Sequence, residues 1–172
     1  AGVAALVGPS WSSHALAAAK QAQKLKIPMC ADVATNPAVT RAGEYIFRAC
    51  FTDVFQGRVL AHFARKKLKL EKMATLVNLT SDYSIGLNAL FSKYFTELGG
   101  IVTMRVPYKD NNLAMGDGLN ELLDKLAPFA MQGLFIPGHR ESDIIVRAVR
   151  KAGFQAPLLG GDGWESQTMA SI

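Results

Sequence analysis

The sequence predicts an α/β fold made of parallel sheets with helices on both faces. Three observations carry this. Short apolar runs such as AALV, MATLV and GLFI alternate with helix-length segments whose apolar residues share one face. Glycines close several of those helical segments, as at Gly99, Gly100 and Gly153. Polar, breaker-rich loops follow the strand-like runs, where strand-to-helix crossovers of a parallel sheet belong.

In chain order, Val3–Val7 reads as a strand broken by Gly8 and Pro9, and Ser12–Lys24 as an alanine-rich helix. Ile27–Ala31 reads as the second strand, then DVATNPAVTRAGEY as a loop, then Ile46–Ala49 as a short extended segment. Gln56–Lys66 is helical, with Val59, Leu60, Phe63 and Ala64 on one face. A second series has the same rhythm: strand Met73–Val77, helix Ser84–Leu98, strand Ile101–Val106 and helix Met115–Leu126. Strand Gly133–Ile136, helix Ser142–Ala152 and strand Leu158–Leu159, running into GGDG, complete it.

With 172 residues, 49% of them hydrophobic, the chain can bury a sizeable core. The net charge of +5 is modest, and its densest patch, Arg65, Lys66, Lys67, Lys69 and Lys72, includes Phe63, Leu68 and Leu70. That composition suits the solvated end of a helix and its connector, so no nucleic-acid partner is expected. No apolar run approaches the roughly 18 residues needed to span a membrane. The first residues read as the inside of a strand and SQTMASI closes no element, so the chain reads as an internal piece of a longer protein. Cys30 and Cys50, in the apolar contexts PMCA and RACF, suit one disulfide or two buried thiols equally.

Ligands of open parallel sheets gather at the carboxyl ends of the strands. Five polar loops fall there: PSWSS, DVATNP, NLTSDYS, PGHRES and GGDGWES. Ser12 and Ser13 stand at a helix start, where their hydroxyls can cap the helix or, with unpaired amides, hold an anion. Ala34, Thr35, Asn36 and Pro37 add a hydroxyl and exposed amides, in what is also an ordinary turn sequence. Neighbouring strands would set these two loops side by side, and their convergence favours an anion. Asp162, between glycines, is either a turn residue or the partner of an ammonium group. Tyr83 and Trp164 can supply apolar walls with a polar handle. His139 has no nucleophile motif or paired carboxylate beside it, so no catalytic residue is assigned. The sequence has no CxxC, HExxH, GxGxxG or GxxxxGK[ST], and neither a metal nor a cofactor is expected.

GPSWSSHALAAA, IPMCADVATNPAVTRAGEYIFRACFTDVFQG, DYSIG and PLLGGDGWES together resemble the type I periplasmic binding proteins of the branched-chain amino acid (leucine, isoleucine, valine) ABC transport group. The resemblance spans essentially the whole chain. It implies two α/β lobes that close on a ligand like a hinge. Residues 1–48 would be the later part of the first lobe, and 49–172 most of the second, with a crossover near Phe47–Asp53. It implies a binding protein and not an enzyme, periplasmic or otherwise extracytoplasmic and monomeric. Its precursor would carry a signal peptide, with a lipid anchor as one form of attachment. Its ligand would be a branched-chain or other apolar amino acid, or a similar small carboxylate, passed to a membrane ABC permease. The alternative is the ligand-sensing domain of a regulator or receptor with the same fold.

Carried over by position, Ser12 takes the ligand carboxylate with Ser13 beside it, and Val33, Ala34 and Thr35 form the next contacting loop. Tyr83 covers the ligand and Asp162 pairs with its ammonium. His139, followed by Arg140, stands where relatives often have tyrosine, which makes that wall more polar. Asp162 stands where some relatives have glutamate, a reach shorter by one methylene. Asp32, at the start of DVATNP, has no role that the resemblance supplies.

Overall fold

The computed structural model describes residues 2–113, 117–126, 131–165 and 169. Its strands form two all-parallel sheets. The first has the order β1 (Leu6–Val7), β2 (Met29–Ala31), β3 (Ile46–Arg48), with Leu6 opposite Met29 and Met29 opposite Ile46. Helix α1 (Ser12–Leu25) crosses from β1 to β2. It buries Ala15, Ala19 and Ala22 against Met29, Ala31, Val39 and Ile46. Alanines at four- and three-residue spacing put one thin face on the sheet and let the helix lie close to it. The helix ends at Lys26 in the left-handed conformation, its amide donating to the Gln23 carbonyl.

The second sheet has the order β5-β4-β6-β7. Its strands are β4 (Lys72–Asn78), β5 (Ile101–Tyr108), β6 (Gly133–Phe135) and β7 (Leu158–Leu159). One face is covered by α2 (Asp53–His62), which runs on into a π turn at Phe63–Lys67, and by α3 (Asp82–Glu97). There Phe91 stacks on Phe135 with ring centroids 4.0 Å apart, and Tyr83, Leu87, Phe95 and Met73 fill in around them. The other face carries α5 (Asp117–Leu126) and α6 (Glu141–Lys151), after a short α4 (Asp110–Leu113). Leu122, Leu126, Ile145, Val146 and Val149 meet Ala74, Leu76, Val106 and Leu134 there. Burial of apolar surface on both faces is what holds such a layered sheet together, at about 25 cal/mol per Å² removed from water.

The alternation expected from the sequence is present, with corrections at the edges. The first strand is Leu6–Val7 and not Val3–Val7, and Val3 is exposed. Its partner begins at Met29, because Pro28 has no amide to give the ladder, though its carbonyl accepts from Leu6. Helix α2 starts three residues before the expected Gln56, since Thr52 is already extended and Asp53 suits the first turn. The helix expected from Met115 is described from Asp117; Met115 lies outside the described residues. The four-residue α4 was not expected. Cys30 and Cys50 are both free thiols, each half-buried.

Candidate functional site

The polar loops converge between the carboxyl ends of the two sheets. On the first sheet's side, Trp11 occupies the N-cap of α1 in extended conformation, and its carbonyl accepts from Ala15. The serines therefore sit inside the first turn and do not cap the helix. Their hydroxyls take amides from elsewhere. Ser12 Oγ accepts from the Asn36 amide at 3.3 Å, and Ser13 Oγ from the Asp82 amide at 2.9 Å. Ser12 thereby ties the loop after β2 to α1, and Ser13 ties α1 to the start of α3. Asn36 Nδ2 adds a bond to the Asp82 carbonyl at 2.8 Å.

The loop after β2 is braced from both sides. Asp32 accepts from Ser10 Oγ at 2.9 Å and from the Val33 amide at 2.8 Å, which gives this residue a role: it joins the β1 and β2 loops. Arg48 reaches back from β3 to donate to the carbonyls of Ala34 and Asn36. Thr35 is buried, and its Oγ1 has no hydrogen-bond partner among the described residues.

On the second sheet's side, the short turn after β7, Asp162–Trp164, carries the acid. Asp162 Oδ1 accepts from the Tyr83 hydroxyl at 2.8 Å and from Gln56 Nε2 at 2.8 Å, and the Asp162 amide donates to Gln56 Oε1 at 2.6 Å. Tyr83 also accepts from the Gly163 amide at 3.2 Å. This cluster depends on Gly161 having no side chain: a Cβ there would stand 2.3 Å from Tyr83 OH and 2.6 Å from Gln56 Oε1. Burial, then the charge of Asp162, raises the Tyr83 pKa, so the hydroxyl stays a donor.

Asp53 lies buried beside Gln56, which donates to its Oδ1 at 3.3 Å. Burial is the main cause that pushes its carboxyl from 3.8 up to about 6, and the Asp162 charge adds to it. The nearby Thr35 hydroxyl opposes that rise electrostatically, although neither Thr35 Oγ1 nor Asp53 Oδ2 attains hydrogen-bond geometry. His139 is held between rings, with centroids 5.2 Å from Trp11 and 4.7 Å from Tyr83. Burial lowers its pKa against the raising charges of Glu141, Asp162 and Asp110.

These groups border a cavity of about 330 Å³, with Ser12, Val33 and Thr35 on one side and Tyr83, His139 and Asp162 on the other. A second space of about 460 Å³ adjoins it past Trp11 and His139, bordered by Ser13, Asp110 and Glu141 among others. The smaller one opposes hydroxyl groups to a carboxylate, an arrangement suited to an ion with charge at both ends. Among the described residues no cluster of His, Cys, Asp or Glu is arranged to hold a metal ion, and no helix is long and apolar enough to cross a membrane.

The chain was compared with known proteins. No family model matches it. Leu/Ile/Val-binding protein homolog 1 of Brucella suis biovar 1 is 32% identical over 141 residues, which cover 81% of this chain and 37% of that protein. The leucine-binding protein LivK of Thermotoga maritima superposes with a TM-score of 0.87 at 32% identity, over 98% of this chain and 47% of its own. The chain shares its α/β fold with this binding protein. A second solved structure, the branched-chain amino acid transporter substrate-binding protein LivJ of Streptococcus pneumoniae in complex with isoleucine, gives a TM-score of 0.83 at 26% identity over the same shares. The chain thus spans less than half the length of these periplasmic binding proteins. All three are named as binding proteins.

Of the residues expected from the sequence, Ser12, Val33, Thr35, Tyr83, His139 and Asp162 border one cavity. The Val33 amide, expected to contact ligand, is engaged by Asp32. Ser13 borders the adjoining space, and its hydroxyl bonds to Asp82. Ala34 is buried and borders neither cavity. Trp164 is no cavity wall: its ring packs on the core and its Nε1 donates to the Ile136 carbonyl at 2.9 Å. Tyr83 was expected to cover a ligand, yet its hydroxyl is committed to Asp162. Gln56 and Asp53 were missed, because in FTDVFQG they read as ordinary positions at a helix start.

Proposed function

We propose that this protein captures an amino acid between two lobes and hands it to a membrane ABC permease. Residues 1–48 serve as the later part of the first lobe and 49–172 as most of the second. The observation that carries this is the polarity of the 330 Å³ cavity: Ser12 and Thr35 hydroxyls on one side, the Asp162 carboxylate on the other. A carboxylate is met by hydroxyl and helix-start amide donors, and an ammonium by an acid, so the two walls together suit a zwitterion.

Ser12 Oγ accepts from Asn36 and keeps its own hydrogen for the ligand carboxylate; Thr35 Oγ1, close to the Asp53 carboxylate, has no hydrogen-bond partner among the described residues. Val33, with Tyr83 and His139 rings opposite, provides the contact for an apolar side chain, and Ser13 supports the site from the adjoining space. Names of relatives favour leucine, isoleucine or valine as ligand. His139 and Arg140 on the wall make a branched chain the finest part of the proposal. The protein works outside the cytoplasm, as a monomer, with neither metal nor cofactor.

A thermal-shift survey of the full-length protein against the twenty L-amino acids, with simple aliphatic and aromatic carboxylates alongside, tests this reading. The expected result is stabilisation by one or a few apolar amino acids, exceeding that by any carboxylate without an amino group. Stabilisation by no zwitterion would rule the reading out.

A further inference from the structure

Three hydrogen bonds from side chains hold Asp162, and one residue makes two of them. The Gln56 amide accepts from the Asp162 backbone at 2.6 Å and donates to its Oδ1 at 2.8 Å. Gln56 is itself buried in the first turn of α2, 106 positions away in sequence. With Tyr83 also donating to Oδ1, that oxygen has two donors, and Oδ2 has none among the described residues.

We propose that Gln56 is a positioning residue for ligand recognition, a proposal that rests on reading the cavity as an amino-acid site. It turns the Asp162 carboxylate so that Oδ1 is occupied by protein donors and Oδ2 is left to accept the ligand's ammonium. A primary amide suits this work because one planar group offers a donor and an acceptor side by side, matching a carboxylate oxygen and its own backbone N–H. Glutamate offers no donor when ionised, and lysine no acceptor. Neither can close the ring of two bonds. Gln56, Tyr83 and Asp162 all belong to the second sheet and its helices. The same amide also donates to Asp53 Oδ1 at 3.3 Å, which fixes its own plane.

The role predicts selectivity, which a merely structural role does not. The probes are L-leucine, L-phenylalanine and L-glutamate, each beside the acid that lacks its amino group: 4-methylpentanoate, 3-phenylpropanoate and glutarate. They are titrated calorimetrically into the full-length protein. Gln56→Met keeps the side-chain length and removes both bonds. It is expected to weaken the best-bound amino acid roughly 10- to 100-fold and to leave its partner acid within about 2-fold. Equal loss for both members of the pair, or loss for neither, overturns the role. Gln56→Asn retains the amide one methylene short and is expected to show the same selective loss at smaller size, which covers the case of a Met variant that does not fold. Asp162→Ala separates the two levels of the argument. Selective loss there with none in either Gln56 variant overturns the positioning role alone. A wild-type protein that binds none of the three, nor any other of the twenty L-amino acids, overturns the reading beneath it, and the proposal with it.

Discussion

The two ends of the cavity are built on opposite plans. At the Asp162 end, the acid is locked: two side chains donate to one oxygen, a backbone amide is clamped by Gln56, and Gly161 lets the turn approach. At the Ser12 end, the hydroxyls keep unused capacity, and the Thr35 hydroxyl has no hydrogen-bond partner among the described residues. The difference follows from the chemistry of the donors and acceptors. A hydroxyl rotates at little cost and finds a carboxylate wherever it arrives, whereas a carboxylate left free would turn toward water or toward its neighbours. A rigid acid and adaptable hydroxyls give one end that fixes position and another that adjusts to it.

The largest effect is expected from removing the rigid end. Asp162→Ala should weaken amino-acid binding roughly 100-fold or more, because the ammonium would lose the acid that Gln56 and Tyr83 hold in place. Calorimetry with the amino acid and its partner acid would show this, and an equal loss for both would place the ammonium elsewhere. Next comes the cost of keeping this end acidic. Asp53 has its carboxyl raised from 3.8 to about 6, so the folded protein binds more protons than the unfolded chain between those values, and stability falls as pH rises through that window. Asp53→Asn should therefore be more stable than wild type by roughly 2–3 kcal/mol at pH 7.5. That advantage should vanish below about pH 4. Urea melts at both pH values check it; an advantage unchanged at low pH would mean that ionisation is not its source.

Smaller effects belong to the adaptable end. Ser12→Ala removes one donor to a charged group and should cost about 10-fold in affinity, for amino acid and partner acid alike. Loss confined to the amino acid would reverse the assignment of the two ends. Ser13→Ala cuts a neutral tie between α1 and α3. It should weaken both ligands by only about 2- to 5-fold.

Ser12, Thr35 and Asp162 were legible in the sequence because each stands in a breaker-rich loop directly after a strand, where a parallel sheet collects its polar groups. The loops around Gly161 carried the same signal. What the sequence could not reveal were contacts made at long range from inside regular elements. Gln56 sits among phenylalanines at a helix start, and nothing local distinguishes it from a residue facing water; its partner lies past four further strands and four further helices. Trp164 failed for the opposite reason. Its place beside Asp162 suggested a wall, but in a tight turn adjacent side chains diverge, and its ring went to the core. The first strand fell short of expectation because its extent depends on a partner that Pro28 interrupts.

A crystal structure of the full-length protein with its best-bound amino acid would test the central claim most directly. The account predicts the ammonium nitrogen about 3 Å from Asp162 Oδ2, with Oδ1 still on Gln56 and Tyr83 and the carboxylate on Ser12 and Thr35. A ligand lying in the adjoining 460 Å³ space, or bound with its carboxylate toward Asp162, would contradict it.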